Sequence, residues 1–175
     1  NNLKLNLGMI RTTIDNLSKL APYGKGESFE WKEIVNAIEL LNRNNFHDIQ
    51  FIKETPEQDI YFHLSFQTVL QMINNIVINA VKALENTENI TEKKIKFSAK
   101  QKGNVFTLEI YDNAHPITFA DPKKIFDYGI SSTGGSGIGL YHVQFLCRSY
   151  QGDIQVRTLA PENQYTKCFT ITLPL

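Results

Sequence analysis

Residues 71–84, Gln-Met-Ile-Asn-Asn-Ile-Val-Ile-Asn-Ala-Val-Lys-Ala-Leu, constrain the fold most, because their pattern specifies a helix with two different faces. At about 100° per residue, Phe66, Val69, Ile73, Val77, Ala80 and Leu84 share one face, while Asn75, Asn79 and Lys82 gather on the opposite one. A polar helix back is ordinarily only solvated. Such a face is built from Glu, Lys or Gln, however, and each Asn gives up roughly half a kcal/mol of helix propensity. The amides therefore read as ligands. Two short carbonyl oxygens one turn apart, with an ammonium one turn further on, suit a hard cation and the phosphate oxygens around it. Magnesium fits, since it takes few protein oxygens and keeps waters and phosphates as its other ligands.

A second stretch has the same chemical bias. Gly134, Gly135, Ser136, Gly137, Ile138, Gly139 and Leu140 run directly into a mostly apolar helix predicted over 141–150. Closely spaced glycines let the backbone turn its N–H groups inward, and a helix N-terminus adds its positive end, so the junction suits an anion. It lacks the Lys-Ser/Thr ending of a Walker A loop and the spacing of a dinucleotide fingerprint. Between the two stretches, residues 104–111 alternate as a strand, with Phe106, Leu108 and Ile110 on one face, and the strand ends at Asp112. A carboxylate there is either a turn residue or, beside an apolar pocket, an acceptor for an exocyclic amine such as that of adenine.

In this order, the three elements resemble the nucleotide-binding boxes of the ATPase superfamily of gyrase, Hsp90, histidine kinases and MutL. The resemblance is closest to the catalytic ATP-binding domain of sensor histidine kinases. Residues 75–82 look like the N box, 112–117 the first glycine box, 125–127 the F box, and 135–140 the second glycine box. Residues 169–174 are similar to the family's last strand, and the match runs from about residue 30 to 175. It implies ATP and Mg2+ as cofactors, with Asn79 on magnesium and Asn75 and Lys82 on phosphates. Asp112 would read adenine, with Ile117 closing its box, and Gly135, Ser136, Gly137, Ile138, Gly139 and Leu140 would form the phosphate loop. Residues 113–134 would be the ATP lid, anchored by Phe126. Ser131, Ser132 and Thr133 are either hydroxyls for phosphate or ordinary solvated loop residues.

The helices cluster before the strands, and strands 93–101/104–111 and 152–158/166–173 read as hairpins. That order favours an α+β two-layer sandwich, the Bergerat-type fold by resemblance, over a doubly wound sheet. An amphipathic helix is expected over 31–42, short strands over 48–53 and 59–63, and the long helix over 64–86. Leu3, Leu7, Ile10, Ile14 and Leu17 form a heptad seam. The seam is either a helix packed on its own domain or, as the resemblance implies, an N-terminal stub: residues 1–21 end a dimerisation helix, 22–29 are a linker, and 30–175 the ATP-binding domain.

Eighteen basic and eighteen acidic residues cancel, so charge gives no case for nucleic acid or a membrane surface. Cys147 and Cys168 fit no metal-ligand spacing and point to a reducing compartment. No apolar run reaches spanning length, and the lack of an initiating Met reads as a piece of a longer protein. The resemblance implies a cytoplasmic domain of a parent protein that is either soluble or membrane-anchored. Its partners would be its own phosphoacceptor hairpin, in a homodimer, and a response regulator. None of His47, His63, His115 and His142 lies where a phosphoacceptor is expected, so no catalytic residue is assigned.

Some positions depart from the pattern. Ala114 and Pro116 replace the glycines of the first box, Lys167 and Cys168 stand near the place of a last-strand Thr, and Gly134 stands where a subgroup has Lys. In hydrolysing relatives a Glu precedes the magnesium Asn by one turn. Here that position is Asn75, which favours a phosphoryl donor over an ATP-hydrolysing clamp of the gyrase, Hsp90 or MutL kind. The substitutions in the first box favour a third alternative, a degenerate scaffold.

Overall fold

The computed structural model describes residues 28–131, 134–160 and 163–175. The heptad seam, nearly all of the expected linker and Thr133 lie outside the described residues. In chain order the elements are β1 (Phe29–Glu30), α1 (Trp31–Leu41), β2 (Ile49–Glu54), β3 (Tyr61–Phe62) and α2 (Phe66–Glu85), followed by β4 (Lys93–Lys102), β5 (Val105–Asp112), α3 (Gly139–Ser149), β6 (Asp153–Thr158) and β7 (Lys167–Pro174). Single 3-10 turns occupy Asn45–His47 and Pro122–Phe126.

The main sheet has the order β2-β4-β5-β7-β6. β2 runs parallel to β4 and every other pair is antiparallel. Strict alternation decides which side meets the helices. Ile95 and Phe97 of β4, Phe106, Leu108 and Ile110 of β5, and Phe169, Ile171 and Leu173 of β7 are all buried. Their neighbours Lys96, Thr107, Glu109 and Thr170 are not, so one face of the sheet carries the helix layer and the other meets water. This is the α+β two-layer sandwich, with the core between its layers. The parallel β2–β4 pair departs from the hairpin pattern, because β3 and all of α2 lie between the two strands in the chain and a connection of that length can return in the same direction.

α2 is the central helix and packs against both α1 and α3. Ser65 caps it by accepting from the Thr68 N–H at 3.3 Å. The six residues of the expected apolar face are buried, and so are Leu70, Met72, Ile76, Val81 and Ala83. The apolar arc is wider than one stripe because helices flank α2 on both sides. Phe29, at the expected end of the linker, is also core: it stacks on Phe62 at 5.0 Å and meets Phe66 edge-on, and β1 pairs with β3 in a small separate ribbon. No helix of the described residues is long and apolar enough to cross a membrane.

Candidate nucleotide-binding site

The polar face of α2 and the glycine loop before α3 close around a cavity of about 240 Å³. α2 contributes Asn75, Ile78, Asn79 and Lys82 to its wall; the loop and α3 contribute Gly135, Ser136, Gly137, Gly139 and Leu140. Ile125, Ile130 and Ser131 complete the wall from the 113–134 segment. That segment is held down by its 3-10 turn, where Asp121 accepts from the Lys123 N–H at 3.0 Å and Phe126 meets Phe169 edge-on at 6.3 Å.

Three neighbouring amides on α2 behave differently. Asn74 accepts from Nδ2 of the buried Asn42 at 2.8 Å, tying α2 to α1. Asn75 and Asn79, facing the cavity, have no hydrogen-bond partner among the described residues, and Lys82 has no ion-pair partner there. Groups of this kind are normally paired or given to water, so three of them converging on one cavity describe a place for a polar guest. The Lys82 ammonium lies 3.7 Å from where a side chain on Gly135 would begin, which puts the cation against the glycine loop. The Gly135 N–H itself donates to Ser131 Oγ at 2.8 Å. α3 begins at Gly139 with no side-chain cap, so its positive end faces the same space.

Gly137 serves closeness as well as exposure. It has φ +70°, and a Cβ there would sit 2.3 Å from the Gly129 carbonyl carbon and 2.5 Å from the Ile130 N. The Gly129 N–H donates to the Gly137 carbonyl at 3.2 Å, so the loop and the segment above it are locked together at that point.

Asp112 stands apart from this cavity. It closes the inner face of β5, directly opposite Lys167 of β7, and both side chains are buried. Lys167 Nζ donates to Asp112 Oδ1 at 2.8 Å and to the His115 carbonyl at 2.9 Å. Oδ1 also accepts from the Ala114 N–H at 3.0 Å, while Oδ2 is buried without a partner. Burial pushes the Asp112 carboxyl above its ordinary range, and the Lys167 ammonium and the Ala114 N–H pull it back. The loop that follows is pinned as well: the Thr166 N–H donates to the Asp112 carbonyl, Thr166 Oγ1 to the Ala114 carbonyl, and the His115 N–H to Thr87 Oγ1. The two non-glycine residues of positive φ among the described residues are Asn89 and Gln151, so Ala114 and Pro116 sit in ordinary backbone and need no glycine.

The Histidine kinase-, DNA gyrase B-, and HSP90-like ATPase family matches residues 66–175, which hold α2, the Asp112 strand, the glycine loop and the last hairpin. The chain belongs to that family. It is a catalytic ATP-binding domain of the sensor histidine kinase kind. The sensor protein kinase WalK of Staphylococcus epidermidis is 30% identical over 159 residues, covering 85% of this chain and 24% of WalK. This chain thus spans about a quarter of the length of such curated relatives. The catalytic domain of the histidine kinase ThkA superposes with a TM-score of 0.72 at 20% identity, over 86% of this chain and 96% of that one. A structure of ThkA in complex with the response regulator protein TrrA superposes with a TM-score of 0.68 at 17% identity, over 99% of this chain and 49% of that one.

Of the residues that family resemblance singles out, Asn75, Asn79, Lys82, Gly135, Ser136, Gly137, Gly139 and Leu140 meet at one cavity. Three described ones do not line it. Ile138 points outward and is 45% exposed, Ile117 packs on the edge of the core, and Asp112 is sealed by Lys167. Ile78, Ile125 and Ile130 line the cavity without having been expected there. Ile78 adjoins Asn79 in the chain, but Ile125 and Ile130 join the wall only where the segment that carries them closes over α2.

Proposed function

We propose that this domain binds ATP with magnesium in the cavity between α2 and the glycine loop and donates the γ-phosphoryl group to a histidine elsewhere in its parent protein. The observation that carries the reading is the convergence of Asn75, Asn79 and Lys82, unpartnered among the described residues, on a glycine loop and an uncapped helix start. The donor set fits magnesium: amide oxygens suit it, and the described residues hold no cluster of three His, Cys, Asp or Glu side chains that would suit a thiolate or imidazole metal. When bound, the ion neutralises charge on the triphosphate. Asn79 would supply its protein oxygen. Asn75 and Lys82 would hold phosphate oxygens, and Gly135, Ser136, Gly137 and Gly139 would present N–H groups to them, with Leu140 as apolar floor. Thr133 would add a hydroxyl from the lid. Ile138 would belong to the phosphate loop, and Asp112, with Ile117 closing its box, to the nucleoside end, where Oδ2 would accept from the exocyclic amine.

In the transfer, the bond between the γ-phosphorus and its bridging oxygen breaks, ADP leaves, and a bond forms to an imidazole nitrogen whose proton passes to solvent. Such a reaction needs positioning and charge neutralisation more than covalent help from the domain. A hydrolase would in addition need a base for water. Residue 75, one turn before Asn79, is an amide and accepts no proton at neutral pH, and loss of a positioned base typically removes about 10²–10⁴-fold in rate. By the same reading, residues 1–21 end a dimerisation helix and 22–29 are the linker. The partners are then the phosphoacceptor hairpin of a homodimeric parent and a response regulator, on the cytoplasmic side.

The test is a titration with ATP and magnesium followed by phosphate release and transfer assays on the 175-residue chain. Binding, negligible hydrolysis and phosphorylation of a separately supplied hairpin from the same parent are expected. Absence of adenine-nucleotide binding at millimolar concentration overturns the reading. Turnover of several per minute, abolished by Asn79→Ala, overturns its kinase half in favour of the clamp ATPases.

A further inference from the structure

We infer that Lys167 is a positioning residue that sets the nucleobase preference of this domain: it occupies Oδ1 of Asp112 and grips the His115 carbonyl, leaving Oδ2 as the one carboxylate oxygen without a partner for an exocyclic amine to supply. The inference rests on the assignment of Asp112 to the base, and its test separates the two.

Asp112 and Lys167 are the last rung of the inner sheet face, continuing the buried rows Phe106-Leu108-Ile110 and Phe169-Ile171-Leu173. Side chains directly opposite across an antiparallel pair point to the same side, so the register alone forces carboxylate and ammonium together. A buried ion pair is no bargain for folding, because the desolvation of both ions offsets their attraction, and an apolar pair of similar volume serves the core as well. What the pair does supply is orientation. Lys167 donates to Oδ1 at 2.8 Å and to the His115 carbonyl at 2.9 Å, and the Ala114 N–H takes the other side of Oδ1 at 3.0 Å. These contacts fix the plane of the carboxylate. Oδ2 is left buried and unpartnered, at a cost that a donor from a ligand would remove.

The pair also biases the charge state: burial raises the carboxyl, and the Lys167 ammonium is the largest influence opposing that rise. Of the titratable groups around Asp112, Lys167 from β7 is the one that acts on it; its register partner on β4 is the apolar Ile95, and the loop offers a backbone N–H from Ala114. The His115 ring is exposed and turned towards the Asn86 carbonyl at the end of α2. Without the ammonium, the Ala114 N–H would be left to oppose burial, favouring the neutral acid further. A neutral acid can donate where a carboxylate only accepts. The preference would then change sign with protonation: an acceptor at Oδ2 suits a 6-amino purine, and a donor suits a 6-oxo purine.

The experiment compares binding of ATP and ITP, which differ at the purine 6-position in this respect, to the 175-residue chain with magnesium. Wild type should prefer ATP by at least about a hundredfold, since a site with a buried acceptor rejects a base lacking the donor. In Lys167→Met the ratio should fall at least tenfold, and the pH at which ATP loses ground should move upward, because protonation removes the acceptor and the ammonium no longer opposes it. Lys167→Arg should restore a ratio within about threefold of wild type. A purely structural role would weaken both nucleotides alike, and His115, present in every protein compared, cancels. An unchanged ratio in Lys167→Met overturns the inference, as does a wild-type ratio near one. The wild-type measurement and Lys167→Arg decide the matter if Lys167→Met does not fold. Wild type that binds neither nucleotide overturns the ATP reading and this inference with it. Wild type that prefers ATP with Asp112→Asn unchanged removes Asp112 from the base.

Discussion

The two ends of the site handle polar groups in opposite ways. At the α2 end, Asn75, Asn79 and Lys82 stand partly or fully open to solvent, without protein partners among the described residues, beside a loop whose backbone is exposed. At the Asp112 end, carboxylate and ammonium are buried, paired at 2.8 Å and tied into a pinned turn. The first arrangement costs little without a guest, because water satisfies the groups, and it gains from whatever anion and cation arrive. The second is costly to bury but already oriented, so a guest meets it with little rearrangement. Strength of binding is therefore expected to come from the open end and choice of base from the closed one.

The largest break in this contrast should come from Gly137→Ala. The added Cβ would meet the Gly129 and Ile130 backbone at 2.3 and 2.5 Å, and φ +70° is itself unfavourable for Ala, so the loop and the 129–130 segment must separate. Thermal denaturation should show a loss of a few kcal/mol, and nucleotide affinity should drop by more than about a hundredfold. Gly139→Ala is the matched control. A Cβ there meets nothing within 4 Å, so the melting temperature should stay within a degree or two of wild type.

Next in size, Asn79→Ala should weaken magnesium-dependent ATP binding at least tenfold without altering the ATP to ITP ratio, read by calorimetric titration at saturating and zero magnesium. A changed base ratio would mean that the two ends are not separable. Lys82→Met should cost about three- to tenfold in affinity and flatten its dependence on salt, since an exposed ammonium acts on phosphate through a screened field. Equal salt slopes in the variant and wild type would remove Lys82 from the phosphates.

The grouping at the open end was legible in the sequence, whereas at the closed end Asp112 was singled out but its pairing with Lys167 was not, for a physical reason. A helix face is local. Its 3.6-residue period places Asn75, Asn79 and Lys82 together whatever the rest of the chain does, and a glycine run beside an apolar helix is equally self-contained. The Asp112–Lys167 pair exists only because β5 and β7 align with one particular register across 54 intervening residues, and a single strand does not encode that alignment. Lys167 accordingly read as a missing Thr and not as a partner. The layers and hairpins followed from alternation, whereas the parallel β2–β4 pairing and the β1–β3 ribbon depend on long-range closure. Gly137 was expected to offer an N–H, but its tightest constraint is the close passage of residues 129–130, which no spacing rule reports.

Residue type alone also fails to separate Asn74 from Asn75 and Asn79, and the smallest predicted effects lie there. Asn74 Oδ1 accepts from Asn42 Nδ2, which is buried and keeps a second bond to the Ile38 carbonyl at 3.0 Å. Asn74→Ala removes one bond of a buried donor, costing about 1–2 kcal/mol, and regains about half a kcal/mol of helix propensity. The net should be a melting temperature lower by about 3 °C, with ATP affinity unchanged. Asn79→Ala loses no hydrogen bond to the described residues and gains the same propensity, so its ligand-free melting temperature should rise by about 2 °C while its affinity for magnesium-ATP falls. Opposite signs in stability, with binding lost in only one of the two, for one substitution made five residues apart on one helix, are what a division between structural and ligand-facing amides requires. If Asn79→Ala instead lowered the melting temperature as much as Asn74→Ala, the unpartnered state of the Asn79 amide would be refuted, and with it the open character of that end of the site.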